Sequence, residues 1–197
     1  MFNTTRQIGL TANSNAPAEF TPSTPMSIGC SHATQQPCQF CARSIAWRWL
    51  NFDDISINDL YDLLGLRQDI FIVEQCVPYR DVDGRDRASR HLFATLDGEI
   101  IAYLRALPRD LFETGFCSFG RVVVHPKFRR LGLGRELVRR VLSQFDEAHK
   151  DTPIKISSQL YLKEFYASFG FEAKGEPYIE DRIPHIAMIR RGIEAGI

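Results

Sequence analysis

The stretch HPKFRRLGLGREL, residues 125–137, places glycines where a helix is predicted to begin. Gly132 and Gly134 each cost about 1 kcal/mol relative to alanine inside a helix, so they need a reason other than helix formation. Glycine lets a ligand approach the backbone closely, and the first turn of a helix offers unpaired N–H groups with a partial positive charge. Three arginines add to that charge: Arg129, Arg130 and Arg135. The stretch therefore predicts a site for an anion, most simply a phosphate group.

The glycine spacing excludes two familiar phosphate sites. A P-loop needs G-x-x-x-x-G followed by Lys and then Ser or Thr, and no such pair occurs here. A dinucleotide fingerprint needs G-x-G-x-x-G, but the third glycine position, counted from Gly132, holds Leu137. The pattern that remains is R-x-x-G-x-G, formed by Arg129, Gly132 and Gly134.

This pattern lies between a predicted strand and a predicted helix. The segment CSFGRVVVHP is typical of a strand that ends at Pro126. The segment LGRELVRRVLSQFDEAHK carries apolar residues at helical spacing. That apolar stripe consists of Leu133, Leu137, Val138, Val141, Leu142 and Phe145. The predicted anion site therefore sits where a strand end meets a helix N-terminus.

The rest of the chain predicts a mixture of strands and helices. A strand, SIAWRWLNF, precedes a helix that Ser56 caps and that runs to about Val73. The polar segment PYRDVDGRDRASRH is predicted to be a long surface loop, and Asp97-Gly98 marks the turn of a β-hairpin. The strand TPIKISSQ, a short helix closed by Gly170, and the strands GFEAKGEPY and PHIAMIRR follow. We therefore predict an α+β fold with a mixed, mainly antiparallel twisted sheet flanked by helices.

The overall composition excludes several classes of protein. The 197 residues contain 24 Lys plus Arg and 24 Asp plus Glu, and this neutrality argues against a nucleic-acid-binding protein. No apolar run approaches the roughly 20 residues that cross a bilayer, and no secretory signal is recognisable. The odd number of cysteines, five, favours a reduced compartment. We therefore expect a cytoplasmic protein that binds neither nucleic acid nor a membrane.

The first 43 residues differ in composition from the remainder. They are rich in Thr, Ser, Asn and Pro, so we predict a flexible extension over residues 1–43 and one domain over residues 44–197. Cys30, His32, Cys38 and Cys41 lie close together in this extension. They are either a zinc site or free thiols, and their cramped spacing favours free thiols, so no metal is expected.

The R-x-x-G-x-G pattern, placed directly after an apolar strand, resembles motif A of the GNAT superfamily of acetyl-CoA-dependent N-acetyltransferases. FYASFGF resembles the downstream Tyr-containing motif of that family. Within the superfamily, FIVEQCVPYRDVDGRD, GRVVVHPKFRRLGLG and EDRIPHIAM resemble segments of the ElaA-like group, in the same order. The resemblance covers roughly Ile45 to Arg190. It implies the family fold and acetyl-CoA as cosubstrate.

The resemblance also implies a coenzyme site. Backbone amides of the glycine loop would hold the coenzyme A pyrophosphate, and the preceding strand would offer its edge to the pantetheine arm. The implied coenzyme-binding residues are Val122, Val123, Val124, Arg129, Arg130, Leu131, Gly132, Leu133, Gly134 and Arg135. Tyr166 would lie near the thioester and give a proton to the thiolate leaving group. The alternative for Tyr166 is a core tyrosine packed on Phe165 and Phe169.

The sequence does not identify a single general base, and three side chains are candidates. Glu74 is the first, because it ends the first predicted helix in a segment typical of the ElaA-like group. His91 and His185 begin strands and are expected to line the acceptor pocket. Each of the three is alternatively structural or solvated.

Two further features concern the acceptor side and the reaction route. Asp81 and Asp83, near Asp86, form either a solvated loop or a negative patch that attracts a cationic amine. Direct transfer in a ternary complex is expected, because no cysteine lies in a recognised nucleophile motif. Cys76 and Cys117 are accordingly expected to be small buried residues.

Three functions follow from these features. The first is transfer of an acetyl group from acetyl-CoA to a primary amine. The second is a non-catalytic acyl-CoA-binding regulatory module on the same fold. The third is a metal-bearing interaction protein that works through residues 30–41. The expected partners are acetyl-CoA and an amine acceptor, in a monomer or a homodimer.

Overall fold

The computed structural model describes residues 44–192. The predicted extension over residues 1–43, its cysteine cluster and the last five residues of the predicted domain lie outside them. The strands are β1 (Ala46–Asn51), β2 (Arg90–Leu96), β3 (Glu99–Leu107), β4 (Ser118–Val124), β5 (Ile154–Gln159), β6 (Glu172–Glu180) and β7 (Ile183–Arg190). The helices are α1 (Ile57–Gln68), α2 (Leu133–Ala148) and α3 (Lys163–Ala167), and a π-helix over Asp69–Glu74 continues α1.

The strands form two antiparallel sheets. The first has the order β1-β2-β3-β4 and the second has the order β5-β7-β6. One isolated parallel bridge, between Cys117 and Ile154, joins them. The α+β class is confirmed, whereas the sheet that the sequence suggested as continuous is divided between β4 and β5. Strand periodicity does not encode which strands pair along their full length, so the division could not be seen in the sequence.

Local signals explain where several elements begin and turn. The Ser56 side chain accepts a hydrogen bond from the Asp59 N–H at 3.0 Å and so caps α1. The β2–β3 turn has positive φ at both Asp97 (51°) and Gly98 (85°), as a type I′ turn requires. Gly170 has φ of 84° at the end of the α3 region. These predictions are confirmed.

Helix packing places apolar layers on both faces of the first sheet. The buried residues of α2 are the predicted stripe: Leu133, Leu137, Val138, Val141, Leu142 and Phe145. They pack in one cluster with β2 and β3 residues such as Leu92 and Leu104. Leu63 and Ile70 pack on the opposite face, against Phe93, Tyr103 and Val123. The sheet is therefore a rigid support held between α1 and α2.

No helix within residues 44–192 has the length and apolar character that a membrane crossing requires.

Candidate functional site

A cleft of about 620 Å³ opens between the two sheets. The chain segments that lead into β4 and β5 are joined where the Cys117 N–H donates to Pro153 O at 3.0 Å and the Lys155 N–H donates to Cys117 O at 2.9 Å. Beyond this point the two strands belong to separate sheets. The edge of β4 therefore faces the cleft without a strand partner among the described residues.

A β-bulge shapes that edge. The β4 residues Gly120 and Val123 pair with Arg105 and Tyr103 of β3. The two residues between Gly120 and Val123 therefore lie opposite the single β3 residue between Tyr103 and Arg105, and these two residues are Arg121 and Val122. Arg121 has φ of 51°, an uncommon conformation for a residue with a side chain. Val122 and Val124 line the cleft, as does Val123, whose side chain is buried against the α1 side of the sheet. The bulge leaves Arg121 and Val122 without regular register partners on β3.

The glycine loop presents a run of free backbone amides. The Arg129 N–H donates to Pro126 O at 3.4 Å, and the next backbone N–H with an acceptor is that of Glu136, which donates to Gly132 O at 3.1 Å. Within the described chain, the N–H groups of residues 130–135 have no acceptor. Successive free amides at a helix N-terminus form an anion-binding concavity. This is the arrangement that a diphosphate group requires.

Two residues of the loop have positive φ, Arg130 at 64° and Gly132 at 81°. A Cβ on Gly132 would meet no atom within 4 Å, so its conformation and not its surroundings favours glycine there. A Cβ on Gly134 would lie 4.0 Å from the Val124 side chain. Of the predicted coenzyme-binding set, Val122, Val123, Val124 and Arg129 line the cleft. The remaining members, Arg130, Leu131, Gly132, Leu133, Gly134 and Arg135, follow Arg129 along the chain, outside the lining.

Arg129 connects the loop to the π-helix. Its Nη2 donates to Glu74 Oε2 at 2.7 Å, and its Nε donates to Val124 O at 3.3 Å. Both Glu74 and Arg129 line the cleft and are partly exposed. Glu74, the candidate base, therefore already has a cationic partner, and this pair connects the π-helix to the start of the glycine loop.

Tyr166 lines the cleft from α3 and is also packed in the core. Its ring contacts those of Phe119, Phe165 and Phe171, with centroid separations of 6.0, 5.0 and 6.0 Å. Among the described residues its hydroxyl has no hydrogen-bond partner. Burial raises the pKa of Tyr166 above its ordinary value, so the phenol keeps its proton at neutral pH. The sequence presented core packing and a place near the thioester as alternatives for Tyr166. In the structure, Tyr166 is packed in the core and also lines the cleft.

The three loop aspartates form a network with three arginines, and four of the six residues are buried. Arg67 donates from Nε to Asp81 Oδ2 and from Nη1 to Asp86 Oδ1, each at 2.8 Å. Arg105 makes a two-pronged pair with Asp83, at 2.7 and 2.8 Å. Arg67 and Arg105 are essentially inaccessible to solvent, at 0% and 2% exposure. We refer to Arg67, Arg105, Arg121, Asp81, Asp83 and Asp86 as the Arg–Asp network.

Arg121 attaches this network to the β4 bulge. Its Nε donates to Asp81 Oδ1 at 2.6 Å and its Nη2 donates to Asp81 O at 3.0 Å. Three guanidinium groups face three carboxylates, so the network is neutral as a whole. The segment is a loop with exposed residues such as Val82 and Gly84, as predicted. Its aspartates are paired with arginines, however, so Asp81 and Asp83 do not present an uncompensated negative patch to an amine. This corrects the expectation that the aspartates are either solvated or a negative patch, which the sequence could not exclude because the arginines that pair with them lie far away in sequence.

The two candidate histidines have different positions. His91 is buried, with Nδ1 2.7 Å from the Tyr103 hydroxyl and Nε2 2.9 Å from Asp86 O, and it lies outside the cleft lining. Burial lowers the pKa of His91, so the ring is neutral at pH 7. His91 is therefore a structural residue and not a member of the acceptor pocket. His185 does line the cleft, and its Nδ1 lies 2.8 Å from Ile183 O.

The second sheet contributes polar residues that the sequence gave no reason to select. Ser157 Oγ lies 2.6 Å from Glu180 Oε2 and 2.6 Å from the Tyr178 hydroxyl. Ser157 and Glu180 both line the cleft. They lie 23 residues apart, and only the pairing of β5, β7 and β6 brings them together.

The two described cysteines are placed differently from each other. Cys117 is fully buried, and burial raises the pKa of its thiol to about 11. Cys76 is exposed, which corrects the expectation that it is buried, and it does not line the cleft. Neither is placed as an acyl carrier.

Comparison with known proteins is consistent with this geometry. Residues 70–191 match the model of the acetyltransferase (GNAT) domain. A UPF0039 protein of Synechocystis is 40% identical over 149 residues, which cover 75% of this chain and 96% of that protein. Protein ElaA of Escherichia coli is 38% identical over 153 residues, or 77% of this chain and 99% of ElaA.

Solved structures show the same relationship. An acyl-CoA N-acyltransferase from Pseudomonas aeruginosa superposes with a TM-score of 0.71 at 41% identity, covering 75% of this chain and 99% of that one. The crystal structure of Escherichia coli ElaA superposes with a TM-score of 0.70 at 37% identity, with the same coverage. The chain therefore belongs to the GNAT acetyltransferase family and, within it, resembles the ElaA-like group, as its glycine loop and flanking motifs predicted.

Proposed function

We propose that this protein transfers an acetyl group from acetyl-CoA to a primary amine, directly and in a ternary complex. The observation that carries the proposal is the run of free amides at residues 130–135, placed at the end of a strand whose edge faces the cleft. Those amides bind a diphosphate. The β4 edge offers backbone groups to an extended, amide-containing arm such as pantetheine. Membership of the GNAT family supports an acyl-CoA as the ligand.

The chemistry needs three contributions from the chain. The amine nitrogen attacks the thioester carbon, and the charge that develops on the oxygen is stabilised by backbone N–H groups of the β4 edge. The C–N bond forms, the C–S bond breaks and the amine loses a proton to a base or water. Tyr166, whose phenol stays protonated, donates a proton to the departing thiolate and is then reprotonated from solvent.

Binding of acetyl-CoA is tested by Gly132→Glu, which places a carboxylate among the free amides. Ligand at about 100 times its dissociation constant stabilises a protein by about 2.7 kcal/mol, or roughly 5–11 °C for a domain of this size. We expect acetyl-CoA to raise the melting temperature of the natural protein by this amount and that of the variant not at all. Gly115→Glu is the matched control, since Gly115 also has positive φ (86°) and open space around its Cβ position. Stabilisation that survives in Gly132→Glu would refute the coenzyme site.

Turnover is tested by Tyr166→Phe with a panel of amines and a thiol-release assay. An enzyme that uses the phenol should lose roughly 100- to 10,000-fold in turnover while acetyl-CoA still stabilises it. The non-catalytic acyl-CoA-binding module is the second candidate, because the Tyr166 ring is packed tightly enough to be explained by the core alone. A natural protein that binds acetyl-CoA but releases no thiol with any amine would favour that module.

A further inference from the structure

The walls of the cleft contain four acidic side chains among the described residues: Glu74, Asp83, Glu180 and Asp181. Two of them are already neutralised, Glu74 by Arg129 at 2.7 Å and Asp83 by Arg105 at 2.7 Å. The other two, Glu180 and Asp181, have no cationic partner within the part of the chain that the structure describes, and of these two only Glu180 accepts a hydrogen bond from another side chain of the cleft. The cleft therefore contains a carboxylate whose charge is not used by the fold.

A directed hydrogen-bond chain fixes that carboxylate. The Ser157 hydroxyl donates its one proton to Glu180 Oε2 at 2.6 Å. The Tyr178 hydroxyl, 2.6 Å from Ser157 Oγ, must then be the donor in that second bond. The Tyr178 ring stacks on that of His185, with centroids 6.3 Å apart and planes at 26°. Glu180 Oε1 remains without a partner among the described residues, which leaves an acceptor for a ligand.

We propose that Glu180, positioned by Ser157 and Tyr178, binds the ammonium group of the acceptor and selects aliphatic amines that are cationic at neutral pH. The inference rests on the proposed function. The ammonium group is the cationic partner that Glu180 lacks, and it donates a charge-assisted hydrogen bond. Before its nitrogen attacks the thioester, the bound ammonium gives one proton to water, so the neutral amine of the proposed reaction forms at this site. The loop aspartates cannot take this role because Arg67, Arg105 and Arg121 neutralise them. An arylamine, which is neutral at pH 7, gains nothing from Glu180.

The first experiment compares Glu180→Gln with Glu176→Gln. Glu176 lies on the same strand and is exposed, but it does not line the cleft. We expect Glu180→Gln to raise KM for an alkylamine about 10- to 100-fold, as expected for the loss of one hydrogen bond to a charged group. KM for an arylamine and for acetyl-CoA should stay unchanged, and Glu176→Gln should leave all three values unchanged. Equal KM values for the alkylamine in the two variants would overturn the proposal.

Two further variants test whether Ser157 and Tyr178 position the Glu180 carboxylate. Ser157→Ala and Tyr178→Phe keep the carboxylate but remove the bonds that orient it. We expect each to raise KM for the alkylamine by a smaller factor than Glu180→Gln, with the preference for alkylamine over arylamine reduced in the same order. An unchanged preference in both variants would show that the hydrogen-bond chain is only structural.

Direct binding separates this proposal from the proposed function. Calorimetric titration of an alkylamine into the protein saturated with coenzyme A measures the Glu180 contact without any turnover. If the natural protein binds the amine and Glu180→Gln does not, the Glu180 site stands even where no acetyl transfer is detected. If the two proteins bind the amine equally, the Glu180 site is refuted even where transfer is fast.

Discussion

Replacement of Asp86 by asparagine should reveal how strongly the Arg–Asp network stabilises the fold. Asp86 Oδ1 accepts hydrogen bonds from Arg67 Nη1 at 2.8 Å and from Arg105 Nη1 at 3.1 Å. Asparagine has nearly the same shape and keeps an oxygen acceptor, so the change removes charge with little loss of packing. It leaves three guanidinium groups, two of them buried, facing two carboxylates.

The expected loss of stability in Asp86→Asn follows from the burial of the arginines that Asp86 contacts. Arg67 and Arg105 are almost inaccessible to solvent, so water cannot replace the lost carboxylate. Breaking a buried ion pair by removing one partner costs about 3–5 kcal/mol. A domain of this size loses about 2–4 °C of melting temperature per kcal/mol, so Asp86→Asn should melt about 6–20 °C lower.

The assay is thermal unfolding at pH 7, with Asp59→Asn as control. Asp59 pairs with Arg48 at 3.3 Å on a partly exposed surface, where such a pair contributes about 0–1 kcal/mol. The control should therefore melt within about 4 °C of the natural protein. Similar melting temperatures for Asp86→Asn and Asp59→Asn would refute the reasoning, because they would show that burial does not strengthen the network.

The effect of Asp86→Asn on stability should depend on pH. Burial by itself raises the pKa of Asp86, but the hydrogen bonds and charges of Arg67 and Arg105 outweigh burial, so the pKa is lowered. A carboxylate whose folded pKa lies below its unfolded value of about 3.9 stabilises the fold fully above that value. Its contribution is lost as the pH falls toward the folded pKa. The difference in melting temperature between the natural protein and Asp86→Asn should therefore be constant above about pH 5 and shrink below about pH 4.

Two smaller effects test local elements. Ser56→Ala removes the side-chain acceptor of the Asp59 N–H and should lower stability by about 1 kcal/mol, whereas Ser56→Asp should retain it. Chemical denaturation of the three proteins measures this, and equal midpoints would show that the cap contributes nothing. Arg182→Gly should raise stability by about 0.5–1 kcal/mol, because Asp181 (φ 48°) and Arg182 (φ 65°) form the β6–β7 turn in a conformation that glycine adopts without cost. A lower melting temperature for Arg182→Gly would show that the arginine side chain contributes more than its backbone strain costs.

The elements that sequence patterns predicted are those that neighbouring residues determine. The α2 stripe, the Ser56 cap and the Asp97-Gly98 turn each depend on contacts within a few residues of chain. The glycine loop belongs to this group, since free amides and positive φ values arise from the local backbone of residues 129–136. The π-helix at Asp69–Glu74 is an exception, because nothing in the apolar spacing distinguishes it from a continuing α-helix.

The Arg–Asp network could not be assigned from spacing, because its pairs span 14 to 40 residues. A signal was nevertheless present. Arg67 lies on the same helical face as Leu63 and Ile70, which are both buried. An arginine on an apolar face must have an anionic partner, since an unpaired buried charge is too costly. That reasoning predicts a buried partner for Arg67 but does not identify it among the nearby aspartates.

The charges available to a ligand are those that the fold leaves unpaired, and a count of charged residues does not show which these are. The segment RDVDGRD contains three aspartates and two arginines, one of which, Arg85, lies 3.5 Å from Asp83. The shortest ion pairs of its carboxylates are nevertheless with Arg67, Arg105 and Arg121, from three other elements. Glu180 belongs to a strand of mixed charge, and pairing of β6 with β7 leaves it facing the cleft. A buried carboxylate with a guanidinium partner contributes to stability, whereas an exposed carboxylate held only by a neutral hydroxyl has no cationic partner in the described fold and is open to an incoming cation. The two kinds of carboxylate are therefore distinguished by their surroundings. For this reason Asp86→Asn should lower the melting temperature, whereas Glu180→Gln should weaken recognition of the amine.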